Sequence, residues 1–188
     1  PAREIELTDE EREFANTFFL LSQKPELIVL NVSENDYSEK KFDEIYSRYT
    51  SISSIDKMVV VCAKIESDLS ELSEEEQKAY LADLGLQTSG LERLIKKAYE
   101  TLGLISFLTA GEKEIRAWTI EKGTKAIDAA GVIHTDFTKN FIKAEVISFE
   151  DFVSLGGWKK AREQGRARSE GRDYIMQDGE VVEFKIGT

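Results

Sequence analysis

The sequence predicts a two-part chain: an α/β part whose parallel sheet is incomplete, followed by a small α+β part. Three observations predict it. Two short apolar runs, residues 27–30 and 58–61, are separated by a stretch of helical spacing and end in short polar segments, the pattern of buried parallel strands joined by a crossover helix. The charge is unevenly placed. Of the net −11, residues 1–103 hold 12 Lys/Arg against 22 Asp/Glu and the remainder 13 against 14. The second part also alternates apolar and polar residues and carries Asp178-Gly179, a strong short-range turn signal.

The elements follow in order. Thr8-Asp9-Glu10-Glu11 is a capping box that opens a helix with Phe14, Phe18 and Leu21 on one face, and Pro25 blocks its continuation. After the strand at 27–30 comes a helix over 38–49 with Phe42, Ile45 and Tyr49 at helical spacing. The strand at 58–61 is followed by Ser73-Glu74-Glu75-Glu76, a second capping box, whose helix carries Tyr80, Leu81 and Leu84 and ends at Gly85. A last helix over 89–102 turns Leu91, Leu94, Ile95, Ala98 and Leu102 inward. Residues 1–103 thus read α-β-α-β-α-α. Two parallel strands cannot cover their own faces, so this part is expected to complete a larger sheet whose other strands lie outside the chain.

The remainder, 104–188, reads β-α-β-α-β-β. A strand spans 114–120, and a helix over 124–134 turns Ala126, Ile127, Ala130 and Ile133 inward. A strand spans 142–147, and a helix over 149–155 is stopped by Gly156-Gly157. Residues 174–184 form a hairpin about Asp178-Gly179, and the topology resembles a β-grasp.

Composition narrows the classes. No run reaches the roughly 18 apolar residues of a membrane span. A single cysteine excludes an internal disulfide, predicts no disulfide-linked partner and suits a reducing cytoplasm. The polar start carries no signal peptide, and its opening on Pro1 reads as processing or as a piece of a longer protein. The acidic first part is a poor phosphate-gripping surface, and Glu71 to Glu76 read as a solvated helix start.

Three groups of residues could carry function. Asn31-Val32-Ser33-Glu34 closes the first strand, and Cys62-Ala63-Lys64 follows the second. An Asn-x-x-acid arrangement there can read a purine edge, since ligands of such sheets sit beyond the carboxyl ends of the strands. Glu34, one methylene longer than Asp, leans the reading towards adenine or relaxed specificity. Asn31 reads equally as a turn former and Glu34 as a solvated charge. The second group is residues 158–172, with six basic residues (Lys159, Lys160, Arg162, Arg166, Arg168, Arg172) beside Trp158. That composition suits phosphate contacts and base stacking, or simply a solvated loop. The third is His134, a candidate RNA contact or acid or base, or a cap at a helix end. No nucleophile-and-base set and no metal cluster is evident, and no G-x-x-x-x-G-K-[ST] occurs in the 188 residues.

With these residues in view the chain resembles the YchF family, the Obg-like ATPases. The resemblance over 104–188 rests on Thr109-Ala110-Gly111, Arg116-Ala117-Trp118-Thr119, Gly131-x-Ile133-His134-Thr135-Asp136-Phe137, Phe141-Ile142-x-Ala144, Ile147-Ser148-Phe149-Glu150-Asp151-Phe152, and Glu170-Gly171-x-Asp173-Tyr174 with Asp178-Gly179. It implies a TGS domain of β-grasp fold. Residues 1–103, with Lys24-Pro25 before the strand and Asn31-x-x-Glu34 after it, resemble the end of the family's P-loop nucleotide-binding domain. The resemblance implies a cytoplasmic, ribosome-associated ATPase that uses ATP with Mg²⁺. Asn31, Val32 and Glu34 would select the base, with Cys62-Ala63-Lys64 as the second base-side loop. It implies a ribosomal RNA or protein partner, with His134, Trp158, Lys159, Lys160, Arg162, Arg166 and Arg168 as candidate contacts. Without a phosphate cradle the chain alone is expected neither to hydrolyse ATP nor to bind it tightly. The other reading is a non-catalytic TGS-type module that binds RNA, the ribosome or a protein.

Overall fold

The computed structural model describes residues 2–111 and 114–187, which fall into two compact units dividing after Leu102.

The first unit opens with α1 (Asp9–Asn16), capped as the sequence predicts: Thr8 Oγ1 accepts from Glu11 N, and the Glu11 carboxylate accepts from Thr8 N at 2.9 Å. The helix stops well before Leu21, because Phe19 takes a left-handed backbone (φ 51°) that breaks the repeat. Phe14, Phe18 and Leu21, read as one face of this helix, are exposed, with Phe18 and Leu21 lying beyond its end and Phe14 and Phe18 packed edge to face.

The strands β1 (Ile28–Asn31) and β2 (Met58–Val61) pair in parallel, Ile28 opposite Met58 through Asn31 opposite Val61. Their crossover holds α2 (Glu39–Tyr49), which buries Phe42 and Ile45 while Tyr49 stays exposed at its end. β2 is buried throughout, whereas β1 is only half-buried at Ile28 and Leu30 and exposes Val29. The expectation of two fully buried strands fails for β1, since nothing among the described residues covers one of its faces.

After β2 the chain turns directly into α3 (Ala63–Leu69), a helix where the sequence reading placed a loop at Cys62-Ala63-Lys64. Its apolar pair Ile65 and Leu69, four residues apart, is buried. Next comes α4 (Glu74–Asp83), with the Ser73–Glu76 capping box intact and Gly85 left-handed just past its end. Finally α5 (Gly90–Leu102) packs on β2. It does so through the Arg93 side, so Leu91, Ile95 and Leu102, expected inward, are 53%, 51% and 58% exposed. The core holds Tyr37, Phe42, Ile45, Val60, Cys62, Ile65, Leu69, Leu81 and Leu86, and full burial of a side chain such as Phe42 is worth about 1.5–3 kcal/mol.

The second unit is a mixed five-stranded sheet. In chain order its elements are β3 (Leu104–Ala110), β4 (Ile115–Glu121), α6 (Ala126–Ile133), α7 (Thr135–Lys139), β5 (Phe141–Ser148), α8 (Phe149–Leu155), α9 (Trp158–Glu163), β6 (Arg168–Glu170) and β7 (Glu180–Ile186). The spatial order is β4-β3-β7-β5-β6, with β3 and β7 parallel at the centre and the other pairs antiparallel. One face carries Phe107, Ile120, Phe141, Ala144, Val146 and Val182 against Ala126, Ala129 and Ala130 of α6. The other carries Ile147 and Val181 against Ala161, Phe152 and Trp158.

Three expectations change here. β3 had no place in the predicted order, although it supplies the fully buried Phe107. The stretch 158–172, read as a loop, contains α9 and β6. The hairpin over 174–184 does not form. β7 lies between β5 and β3, so both its edges are taken, and residues 174–178 keep only an isolated bridge from Ile175 to Lys125. Asp178-Gly179 is still a turn, with Gly179 left-handed (φ 74°).

The parallel register of β3 and β7 holds one pair, Leu108 opposite Val181. The Trp158 indole N–H donates to Ala110 O at 2.9 Å, and the Trp118 indole N–H donates to Thr109 Oγ1 at 2.9 Å. The two tryptophans therefore clamp consecutive residues at the end of β3.

Candidate functional site

β1 and β2 end side by side, and the predicted base-side residues meet there. Asn31 opposite Val61 is the last rung, and Val32 N donates to Val61 O at 2.9 Å beyond it. Asn31 Oδ1 accepts from Ala63 N at 3.0 Å, so one side chain ties the two strand ends together and holds the first turn of α3. The residues after Val32 form a tight turn. Ser33 Oγ donates to Asp36 Oδ2 at 2.9 Å, and Lys41 Nζ donates to Asn35 O at 2.7 Å and reaches Asp36 Oδ1 at 3.2 Å. The Ser33 hydroxyl, then Lys41, hold the Asp36 carboxyl below its ordinary range.

Glu34 and Ala63 are exposed on this edge. Lys64 donates to both Asp68 oxygens, at 2.6 and 2.8 Å, one helical turn on. That bond raises the ammonium pKa, with Glu34 adding a smaller attraction. Cys62 is 1% exposed, its thiol in the core, so only its backbone could face a ligand. The arrangement presents an amide, a carboxylate, an ammonium and exposed backbone at the carboxyl ends of adjacent parallel strands, where such sheets bind ligands. Sequence reasoning missed Glu66, Tyr37 and Arg93, which lie directly behind. The signal for them was Ser89-Gly90, a cap and a small residue at the start of α5.

Half of the basic stretch is neutralised by its own fold: Arg162, Arg166 and Arg168 pair with carboxylates. Arg162 Nε bonds Glu145 at 2.9 Å, and its Nη2 pairs with Glu183. Arg166 Nη2 reaches Asp151 Oδ1 and Oδ2 at 2.8 and 2.7 Å. Arg168 pairs with Glu170 at 3.2 Å and with Glu180 at 2.6 Å. Arg172 donates to Phe141 O at 3.2 Å. Trp158 is half-buried, packed edge to face on Phe152 with the Arg162 guanidinium 5.3 Å from its ring centre, and is not a free stacking platform. Lys159 and Lys160 are exposed on α9 and, among the described residues, lack a carboxylate within ion-pair distance.

His134 ends α6 and begins α7. Its Nδ1 accepts from Asp136 N at 3.2 Å, so it caps the donors of the second helix rather than the carbonyls of the first. Among the described residues no group of His, Cys, Asp and Glu could hold a metal ion, and no helix is long and apolar enough to cross a membrane.

Residues 104–187 match the family YchF-GTPase_C, described as "Protein of unknown function (DUF933)". The Ribosome-binding ATPase YchF of Bacillus subtilis (strain 168) is 44% identical over 188 residues, covering 99% of this chain and 51% of the relative. The Ribosome-binding ATPase YchF of Haemophilus influenzae is 43% identical over 186 residues, covering 98% and 50%. The solved Schizosaccharomyces pombe YchF GTPase superposes with a TM-score of 0.83 at 33% identity, covering 97% of this chain and 49% of that one. The chain spans about half the length of the curated relatives it matches.

Proposed function

Because this chain belongs to the YchF, or Obg-like ATPase, family, we propose that it is the C-terminal part of a ribosome-binding ATPase. It keeps the base-reading half of the nucleotide site and lacks the phosphate-binding half. The observation that carries this is the Asn31 Oδ1 to Ala63 N bond, which joins the ends of two parallel strands and brings Asn31, Val32, Glu34, Ala63 and Lys64 onto one edge. Hydrolysis needs a phosphate cradle and Mg²⁺ to stabilise charge in transfer. No Walker-type sequence occurs in the 188 residues, so ATP turnover and its magnesium belong to the parent protein. The exposed stripe on α5 and the open face of β1 support the same reading, since in the parent both would be covered by the rest of the sheet and its helices. The second unit is the TGS domain, its β-grasp character supported by the two central parallel strands with α6 packed across them. The parent works in the cytoplasm, at the ribosome.

Adenosine and guanosine, which carry the base without phosphates, test the base side directly. Titrated into the isotope-labelled chain, adenosine is expected to shift the amides of 31–34 and 63–64 at millimolar concentration, with guanosine weaker and no ATP hydrolysis. If neither nucleoside moves those amides, the base-side reading is wrong.

A second reading has its own observation. The second unit carries its own core, and Lys159 and Lys160 remain exposed on α9 with their charge uncompensated among the described residues. That suits a TGS-type module binding ribosomal RNA or protein without nucleotide.

A further inference from the structure

We infer that Glu66, Tyr37 and Arg93 form a positioning network that fixes the turn at 33–36 and the first turn of α3 against the start of α5 and on which the base preference of the site depends. The inference rests on the base-side reading above. Glu66 lies on α3, three residues after Ala63, and Tyr37 lies three residues after Glu34. One carboxylate joins the turn after β1 to α3. Glu66 Oε1 accepts from Tyr37 Oη at 3.1 Å and from Gly90 N at 2.7 Å, and Oε2 accepts from Leu91 N at 3.1 Å. The first amides of α5 have no intrahelical acceptor, and a carboxylate at that end also complements the helix dipole.

Arg93, one turn into α5, closes the network. Its Nη2 donates to Tyr37 Oη at 2.9 Å and to Val60 O at 3.0 Å, and its guanidinium lies 5.0 Å from the Phe42 ring centre. Tyr37 is 1% exposed, and burial pushes its hydroxyl pKa up, so it stays a donor to Glu66. The site leaves no room for a side chain on α5: a Cβ on Gly90 would stand 2.6 Å from Tyr37 Oη and 2.8 Å from Glu66 Oε1. Glu34, Lys64 and Asn31 lie on the exposed edge; besides this network, the hydrogen bonds that join the turn after β1 to the start of α3 are Asn31 to Ala63 and the last rungs of the ladder. A base reader must hold its donors and acceptors to within a fraction of an ångström, which falls to residues behind the surface.

The test uses Tyr37→Phe, which removes one oxygen and keeps the ring, together with Glu66→Gln and Glu66→Ala, all in the full chain. Amide hydrogen exchange at 33–36 and 63–65 is expected to quicken about tenfold in Tyr37→Phe, the effect of one buried hydrogen bond. Amides of β3, β5 and β7 should stay unchanged. The ratio of adenosine to guanosine shifts should move towards one, a readout that a smaller folded fraction would not alter. Glu66→Gln, keeping one acceptor oxygen, should fall between the native chain and Glu66→Ala. Native-like exchange at 33–36 and 63–65 in Tyr37→Phe, with the nucleoside ratio kept, overturns the network while leaving the base side standing. Absence of nucleoside shifts in the native chain overturns the reading on which the base preference rests.

Discussion

The Asp178 carboxylate accepts the backbone N–H of Ser106 at 2.8 Å, and the next residue, Gly179, donates its own N–H to Ser106 O at 2.8 Å. One turn therefore satisfies both backbone groups of a β3 residue and delivers β7 to its place beside β3. Asp178→Ala removes the first bond, and the second unit is expected to lose about 1 kcal/mol, read as a lower urea midpoint with unchanged slope. Gly179→Ala meets no atom within 4 Å but must hold φ 74°, and is expected to cost about 1 kcal/mol through backbone strain alone. A neutral result for both would mean that this turn does not set the position of β7.

Alkaline pH should weaken the second unit through Tyr174. Its hydroxyl donates to the buried Glu180 carboxylate at 2.7 Å, and burial first, then that bond, push its pKa from 10.0 up to about 12. The unfolded chain releases this proton near pH 10 and the folded chain near 12. The contribution is thus complete below pH 10 and is lost as pH rises towards 12. Denaturation midpoints on either side of pH 10 check it. Tyr174→Phe should flatten the alkaline decline, and an undiminished decline in that variant would assign it to other groups.

The stripe on α5 gives a prediction opposite to what its periodicity suggests. Leu91→Gln and Ile95→Gln are expected to change the stability of this chain by no more than about 0.5 kcal/mol, as at ordinary surface positions. Phe42→Ala, in the core, should cost about 3–5 kcal/mol. Comparable losses at all three would show that the stripe is covered.

Charge reversal separates binding from folding on the basic segment. Lys159→Glu with Lys160→Glu should leave thermal stability unchanged and weaken any salt-sensitive RNA binding, with a shallower salt slope. Arg162→Glu sets a third carboxylate beside Glu145 and Glu183, and should lower the melting temperature whether or not RNA binds. RNA binding unchanged by the lysine pair would place the contact surface elsewhere.

Local signals in the sequence survived folding well. Both capping boxes and the stop at Gly156 appear as read, because each depends on residues within a few positions of one another. That residues 31–34 would lie beside 62–64 was legible because strand ends in a parallel pair are brought together by register. What was hidden depends on distant partners. The pairs of Arg162 and Arg166 span 15 to 21 positions, so a segment that reads as six cations carries less free charge than its sequence suggests. The hairpin failed because an Asp-Gly turn does not reveal whether its flanks pair with each other or with strands far away. β3 was passed over although Gly103 and the run Leu104-Ile105-Ser106-Phe107-Leu108 announce it. On α5 the period was right and the direction wrong, since periodicity identifies an apolar face without saying what covers it.

The indole clamp at the end of β3 has an optical consequence. The chain has two tryptophans, and both are Trp118 and Trp158, bonded to Thr109 and Ala110. Emission excited at the indole band therefore comes from 103–187 alone, whereas 2–102 contributes only tyrosines. A melt followed by indole emission and again by far-ultraviolet dichroism would show whether the two units unfold together or one after the other, with no label attached.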